Sequence, residues 1–196
     1  MERLRAGVAL CGSYCTFKKA VDAFERLCTE YDVTPIMSES AAVTDSRFGK
    51  AQEFRARLEK ASGREIVDTI VKAEPIGPKK LLDVLIIVPC TGNTIAKMAN
   101  GITDSAVTMA AKAHLRNGRP VVIAVSTNDA LSANAENIGK LLARKNIYFV
   151  PFYQDDPIGK PTSLAADLAL VEDTVRAAME GKQLQPVLAQ RKKYNI

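Results

Sequence analysis

The residues of this chain with the clearest chemical capacity are small and hydroxylated, and they come in three sets: Gly12-Ser13, Ser38-Glu39-Ser40-Ala41 and Thr91-Gly92-Asn93-Thr94. Each set follows an apolar run and precedes a segment with helical spacing. A helix N-terminus leaves backbone N–H groups unpaired and carries partial positive charge. Glycine lets an anion approach the backbone, and serine or threonine adds a hydroxyl donor. The chemistry on offer is anion binding, above all of a phosphate. Taken singly, each turn also reads as ordinary helix capping. Three such turns at successive strand ends point to one shared ligand. Neither G-x-G-x-x-G nor the Walker lysine pattern occurs, so the usual dinucleotide and nucleoside triphosphate fingerprints fail and a mononucleotide such as FMN remains.

Other residue types carry weaker signals. A fourth turn, Ser126-Thr127-Asn128-Asp129, offers Asn128 either to a ligand or as a cap for a helix beginning near residue 132. Arg47, with its planar fork, is the candidate clamp for a carboxylate of a small dicarboxylate substrate, set against an ordinary solvated loop arginine. Lys97 reads as a helix-surface residue. Cys11, Cys15 and Cys90 fall near strand ends, but no ligand spacing fits a metal, and thiols in such places are usually small buried hydrophobes. No metal site is expected. His114, the one histidine, reads as a helix-surface position. No catalytic residue stands out.

These candidates need a scaffold, and the apolar pattern supplies one. Residues 6–11, 33–37, 84–88, 121–125 and 147–150 read as short strands, and 84–88 is apolar on both faces, as in a parallel sheet covered by helices. Helical spacing runs through 16–31, 50–61, 104–117, 132–145 and 164–179, with a further helix opening at 91–94. This alternation predicts an α/β fold: a Rossmann-like or flavodoxin-like doubly wound parallel sheet in three αβα layers. Ligands of such sheets sit beyond the carboxyl ends of the strands, where the polar turns fall. Residues 1–183 are expected to form a single flavoprotein-like domain and 184–196 a C-terminal tail.

Composition narrows the function classes. A chain of 196 residues with 47% hydrophobic and 25% charged residues can bury a full core. Its longest apolar runs, 84–88 and 120–125, are too short to cross a bilayer. Residues 1–5 lead into a strand without a cleavage site, and the four cysteines lack paired spacing. A cytoplasmic protein with no membrane segment is expected. Part of the net charge of +5 lies in Arg191-Lys192-Lys193, a basic tail without aromatic interleaving, so no nucleic-acid partner is expected.

The stretch from Pro89 through Asp104 resembles the P-x-x-x-N-T-x-A-K-x-x-x-G-x-x-D motif of the FMN-binding cysteine-decarboxylase flavoproteins. Gly12-Ser13 and Met37-Ser38-Glu39-Ser40-Ala41 fall where that family has its first phosphate turn and its T-E-S-A turn. The resemblance implies that Gly12, Ser13, Ser38, Thr91, Gly92, Asn93 and Thr94 surround the phosphate and ribityl chain of FMN. Ser40, Pro89, Ser126 and Asn128 complete the expected cofactor-binding set. An inorganic phosphate or sulfate is expected to take the phosphate's place when flavin is absent.

A narrower resemblance covers nearly the whole chain. Thr44-Asp45-Ser46-Arg47-Phe48-Gly49, Ile70-Val71-Lys72-Ala73-Glu74-Pro75-Ile76-Gly77-Pro78 and Ser126-Thr127-Asn128-Asp129-Ala130-Leu131 are similar to the B chains of dipicolinate synthases. So are Pro151-Phe152-Tyr153-Gln154-Asp155-Asp156-Pro157 and Leu184-Gln185-Pro186-Val187-Leu188. That family implies an oxidoreductase subunit that acts with a nicotinamide-dependent A chain, which carries the NAD(P). Together they oxidise a dihydrodipicolinate to dipicolinate in the mother cell of a sporulating bacterium. Relatives in the wider flavoprotein family assemble as trimers or their multiples, so a homo-oligomer is expected. The alternatives are a non-catalytic subunit that keeps only the phosphate cradle, or an FMN-dependent decarboxylase-like enzyme. Against the last, Pro75 stands where the decarboxylases have a catalytic histidine. Only Asn128 survives of their P-x-M-N-x-x-M clamp.

Overall fold

The computed structural model describes residues 3–189. Strand β1 (Arg5–Leu10) leads into α1 (Tyr14–Glu30), and β2 (Asp32–Met37) into α2 (Glu39–Val43), α3 (Ala51–Ser62) and α4 (Ile70–Ala73). Then come β3 (Val84–Cys90), α5 (Gly92–Ala99), α6 (Ala106–Arg116), β4 (Val121–Thr127), α7 (Ala135–Leu142) and β5 (Ile147–Phe149). The last elements are β6 (Phe152–Tyr153), β7 (Leu164–Ala166) and α8 (Val171–Met179).

The parallel pairs are β1 with β2, β1 with β3, β3 with β4 and β4 with β5. This is the 2-1-3-4-5 order of flavodoxin-like sheets, whose switch point lies between β1 and β3. The doubly wound α/β reading therefore holds. All seven residues of β3 are buried, because both faces of a central parallel strand lie under helices. On one face Phe17 of α1 meets Phe54 of α3 edge to face at 4.7 Å between centroids. Arg5 and Arg119 both bind the Asp83 carboxylate and so fasten the starts of β1 and β4 to the entry of β3.

Four local expectations need correction. The strand expected at 84–88 runs on to Cys90; Pro89 has no N–H to give, but its carbonyl still accepts from Cys11 N at 3.2 Å. The helix expected at 132–145 is only Ala135–Leu142, because residues 129–134 form turns in which the Asp129 carbonyl accepts from the Ser132 and Asn134 amides and the Asp129 carboxylate from the Asn134 side chain. The helix expected at 164–179 starts at Val171. Leu164–Ala166 instead forms β7, antiparallel to Ser126 and Thr127 at the end of β4 and to β6. A three-residue apolar run does not by itself distinguish the two states, and the pairing decided it. His114, expected at the surface, is 1% exposed; its ring donates through Nε2 to the Pro120 carbonyl at 3.1 Å.

Beyond α8 the chain returns to the sheet. Gln183 bonds the backbone of Phe149 through both ends of its amide. The segment 187–189 then runs beside Phe152. The boundary expected between 183 and 184 falls between these two attachments. The basic tail Arg191-Lys192-Lys193 lies outside the described residues.

Candidate phosphate-binding site

β1 ends at Leu10, and the chain turns through Cys11-Gly12-Ser13 into α1. Ser13 is the N-cap residue, but its side chain makes no cap bond. Its hydroxyl lies 2.9 Å from that of Ser126 instead, and Thr16 closes the triangle at 3.0 Å from Ser13 Oγ and 3.1 Å from Ser126 Oγ. Among the described residues, no protein acceptor engages the amides of Gly12, Tyr14 and Cys15. These are the free donors of a helix start.

The second turn lies against the first. Ser38 caps α2, accepting from Ala41 N at 3.3 Å, and its hydroxyl is 3.2 Å from that of Ser40. The Ser38 amide donates to the Leu10 carbonyl at 3.0 Å, which ties this turn to the end of β1. Gly12 faces Ser40: a Cβ on Gly12 would come within 3.1 Å of Ser40 Oγ and 3.3 Å of Tyr14 Oη. The Tyr14 hydroxyl in turn donates to the Ser40 carbonyl at 3.0 Å.

The third turn follows β3, after a cis Val88–Pro89 peptide. Thr91 caps α5, accepting from Thr94 N at 3.4 Å. The buried Thr94 hydroxyl donates to Cys11 Sγ at 3.2 Å, so the first and third turns also touch. Cys11 and Cys90 are both buried. A hydrogen bond from Cys90, with help from Thr94 and Thr91, holds the Cys11 thiol below its ordinary range despite desolvation. Desolvation, and the bond it gives to Cys11, push Cys90 well above that range.

The fourth turn is organised by a carboxylate that sequence reasoning passed over. Asp129 accepts from the Thr127 hydroxyl and, at 2.8 Å, from Asn134 Nδ2. Gly92 packs directly on this group. A Cβ there would come within 2.5 Å of Asn134 Nδ2 and 2.7 Å of both Asp129 Oδ1 and Thr127 Oγ1. The glycine is thus required by close packing at the start of α5, and a negative charge already complements that helix end.

The structure brings Gly12, Ser13, Ser38, Ser40, Pro89, Thr91, Gly92, Thr94 and Ser126 together at the carboxyl ends of β1 to β4. Asn93 is exposed at the start of α5. Asn128 does not cap α7, whose N-cap is Asn134. It is held from the other side, where Thr162 donates to its carbonyl at 2.6 Å and Ser163 reaches its amide oxygen at 3.5 Å. Arg47 is exposed at the tip of the Ser46–Gly49 turn, its guanidinium 4.8 Å over the Phe48 ring. Lys97 pairs with Asp104 at 2.9 Å. Pro75 sits half-buried in the 3-10 turn Glu74–Ile76, packed on α6. Of the site residues missed, Thr16 had a legible signal, a hydroxyl one helical turn after Ser13. Asp129 and Asn134 had none.

The donor set on the α1 and α2 side consists of backbone amides and hydroxyls, which suits an anion. The nearby carboxylates are Glu39, exposed on α2, and Asp129, on the α5 side of the site. A phosphate group fits the first side.

The flavoprotein family model matches residues 1–186 of the chain. The chain belongs to the flavoprotein family. It is 46% identical over 187 residues to the B subunit of dipicolinate synthase from Bacillus subtilis (strain 168), a match that covers 95% of this chain and 94% of that one. The crystal structure of the dipicolinate synthase B subunit from Bacillus halodurans superposes with a TM-score of 0.89 at 46% identity, over 97% of this chain and 98% of that one. An FMN-dependent cysteine decarboxylase shares the flavoprotein fold at 20% identity and a TM-score of 0.64, over 91% of this chain and 97% of that one. Among the described residues, no helix is long and apolar enough to cross a membrane, and no cluster of histidine, cysteine or acidic residues could hold a metal ion.

Proposed function

We propose that this chain is the small subunit of a dipicolinate synthase, an oxidoreductase that converts a dihydrodipicolinate to dipicolinate together with a nicotinamide-dependent A chain. The observation that carries this reading is the 46% identity to a dipicolinate synthase B subunit, sustained over 95% of the chain. The reaction removes a hydride and a proton from the dihydropyridine ring and leaves an aromatic diacid. In a spore-forming bacterium it belongs to the mother-cell cytoplasm.

The cradle is assigned to the phosphate of FMN. The free amides of Gly12, Tyr14 and Cys15 and the hydroxyls of Ser13, Thr16, Ser38 and Ser40 would hold it. Bound flavin supplies a two-electron acceptor. Charge-assisted hydrogen bonds from such donors are about twice as strong as neutral ones, which favours a dianionic phosphate over the water it displaces. Arg47, on a loop that begins where α2 ends, is assigned to a carboxylate of the substrate. Decarboxylation does not suit the residue at position 75. Pro75 has no proton to transfer and no side-chain donor.

One observation favours a second reading, in which the chain binds substrate and partner without flavin. Asp129 and Asn134 crowd Gly92 so closely that the α5 end of the cradle has little room for an anion. Product formation from dihydrodipicolinate by this chain alone, the A chain alone and the two mixed tests the main reading, and a flavin absorption band on the purified chain separates the two. We expect turnover only in the mixture. Full turnover by this chain alone, or none by the mixture, would overturn the main reading.

A further inference from the structure

The C-terminal end of α5, the outer face of α6 and the turn after α7 form a groove of about 440 Å³ that the cradle does not use. Met98 and Leu115 lie in its floor, and Ile102 is 47% exposed at its rim. Its walls carry four exposed cations: Lys112 and Arg116, one turn apart on α6, and Arg144 and Lys145 opposite. No carboxylate lines it. Among the described residues none of the four holds an ion pair, whereas Arg26, Arg57 and Arg176 elsewhere each do. The carboxylate on the adjoining loop, Asp104, is taken by Lys97. Arg144 is fixed in place by donating to the Met98 carbonyl at 3.1 Å.

This arrangement carries two costs in the isolated chain. Like charges on facing walls repel, and the apolar side chains of Ile102 and Leu115 remain partly in water. A small anion would neutralise one wall and leave the floor wet. A protein surface with an apolar ridge flanked by carboxylates relieves both together. We propose that the groove is the docking surface for a partner protein of that chemistry. α5 has 8 residues, so at a rise of about 1.5 Å per residue a partner seated there stands about 12 Å from the start of the helix that forms one side of the cradle. Resting on the reading above, the partner to be tested is the nicotinamide-dependent A chain.

The test is the dissociation constant between the full chain and the purified A chain, at low and high salt. We compare wild type with Lys112→Glu/Arg116→Glu, with Ile102→Ser, and with a control of equal charge change on other helices, Lys18→Glu/Lys60→Glu. All five positions are exposed, and thermal melts confirm folding. The groove double variant should bind about 30-fold more weakly, Ile102→Ser about fivefold, and the control within about twofold, with wild-type affinity falling as salt rises. If the A chain does not bind wild type, the functional reading fails and the docking proposal with it. If it binds wild type and the groove variants alike, the docking proposal alone is overturned. Self-association lost in the groove variant while A-chain affinity is kept would give the groove to a second copy, and that too overturns the proposal.

Discussion

Ser13 and Ser126 set their hydroxyls 2.9 Å apart although 113 residues separate them in sequence. The contact joins the end of β4 to the start of α1, and it leaves Ser13 without the capping role its position suggests. An aspartate at position 13 would put a negative charge among the free amides and hydroxyls of the cradle. Ser13→Asp should weaken binding of both FMN and inorganic phosphate by about 100-fold or more, and Ser13→Ala by about tenfold. Flavin fluorescence quenching and calorimetry with phosphate measure the two. Unchanged FMN affinity in Ser13→Asp would remove the cradle as the flavin site.

Gly92 is held by contact with a side-chain network. Gly92→Ala should cost about 1–3 kcal/mol in urea unfolding, because its Cβ meets Asn134 and Asp129 well inside van der Waals distance. Gly92→Ala/Asn134→Ala should lose less than the sum of the two single changes, since removing the Asn134 amide takes away the nearest clash. Simple additivity would show that the crowding is relieved elsewhere.

His114 makes stability depend on pH. Burial lowers its pKa from 6.5 to about 4 in the folded chain. Between those values the unfolded chain takes up a proton that the folded one refuses. The stabilisation is therefore whole above pH 6.5, declines as pH falls, and is fully lost below about 4. Unfolding free energies from neutral pH to pH 4 should show wild type losing on the order of 2–3 kcal/mol more than His114→Gln. Parallel pH profiles for the two proteins would refute this.

The four thiols should separate by reactivity. Cys15 is exposed, Cys28 is desolvated to a pKa of about 11, and Cys11 and Cys90 are buried. Alkylation of the native protein followed by mass mapping should modify Cys15 first and Cys28 slowly. Cys11 and Cys90 should react only after denaturation. Early loss of the Cys11 thiol would mean that the floor of the cradle opens to solvent.

The sheet was legible because its central strands are continuous apolar runs of β-branched residues bounded by glycine and polar turns. The cradle was legible because its members sit next to those boundaries. What escaped were features made by partners distant in sequence. Leu164–Ala166 becomes a strand only because Ser126 and Thr127 extend β4 far enough to pair with it. Asp129 acquires its role from Asn134 and from the missing side chain of Gly92. His114 looked like a surface residue among Ala and Lys, yet the helix turns it onto the Pro120 carbonyl. The exposed cations of α6 and of the turn after α7 lie about 30 residues apart in sequence, and only the fold places them across one groove.

The Gln183 amide, bonded to Phe149 N at 2.8 Å and to Phe149 O at 2.7 Å, stands in for a neighbouring strand along the flank of β5. Other flanks are closed by similar means. Val67 lies along Ile36 beyond Pro35, which has no N–H to offer, and residues 187–189 cover Phe152. A sheet finished in this way presents little open ladder to a foreign β-strand, the usual starting point of fibrous self-assembly. An added β-strand would therefore find few unpaired backbone groups at Ile36, Phe149 and Phe152.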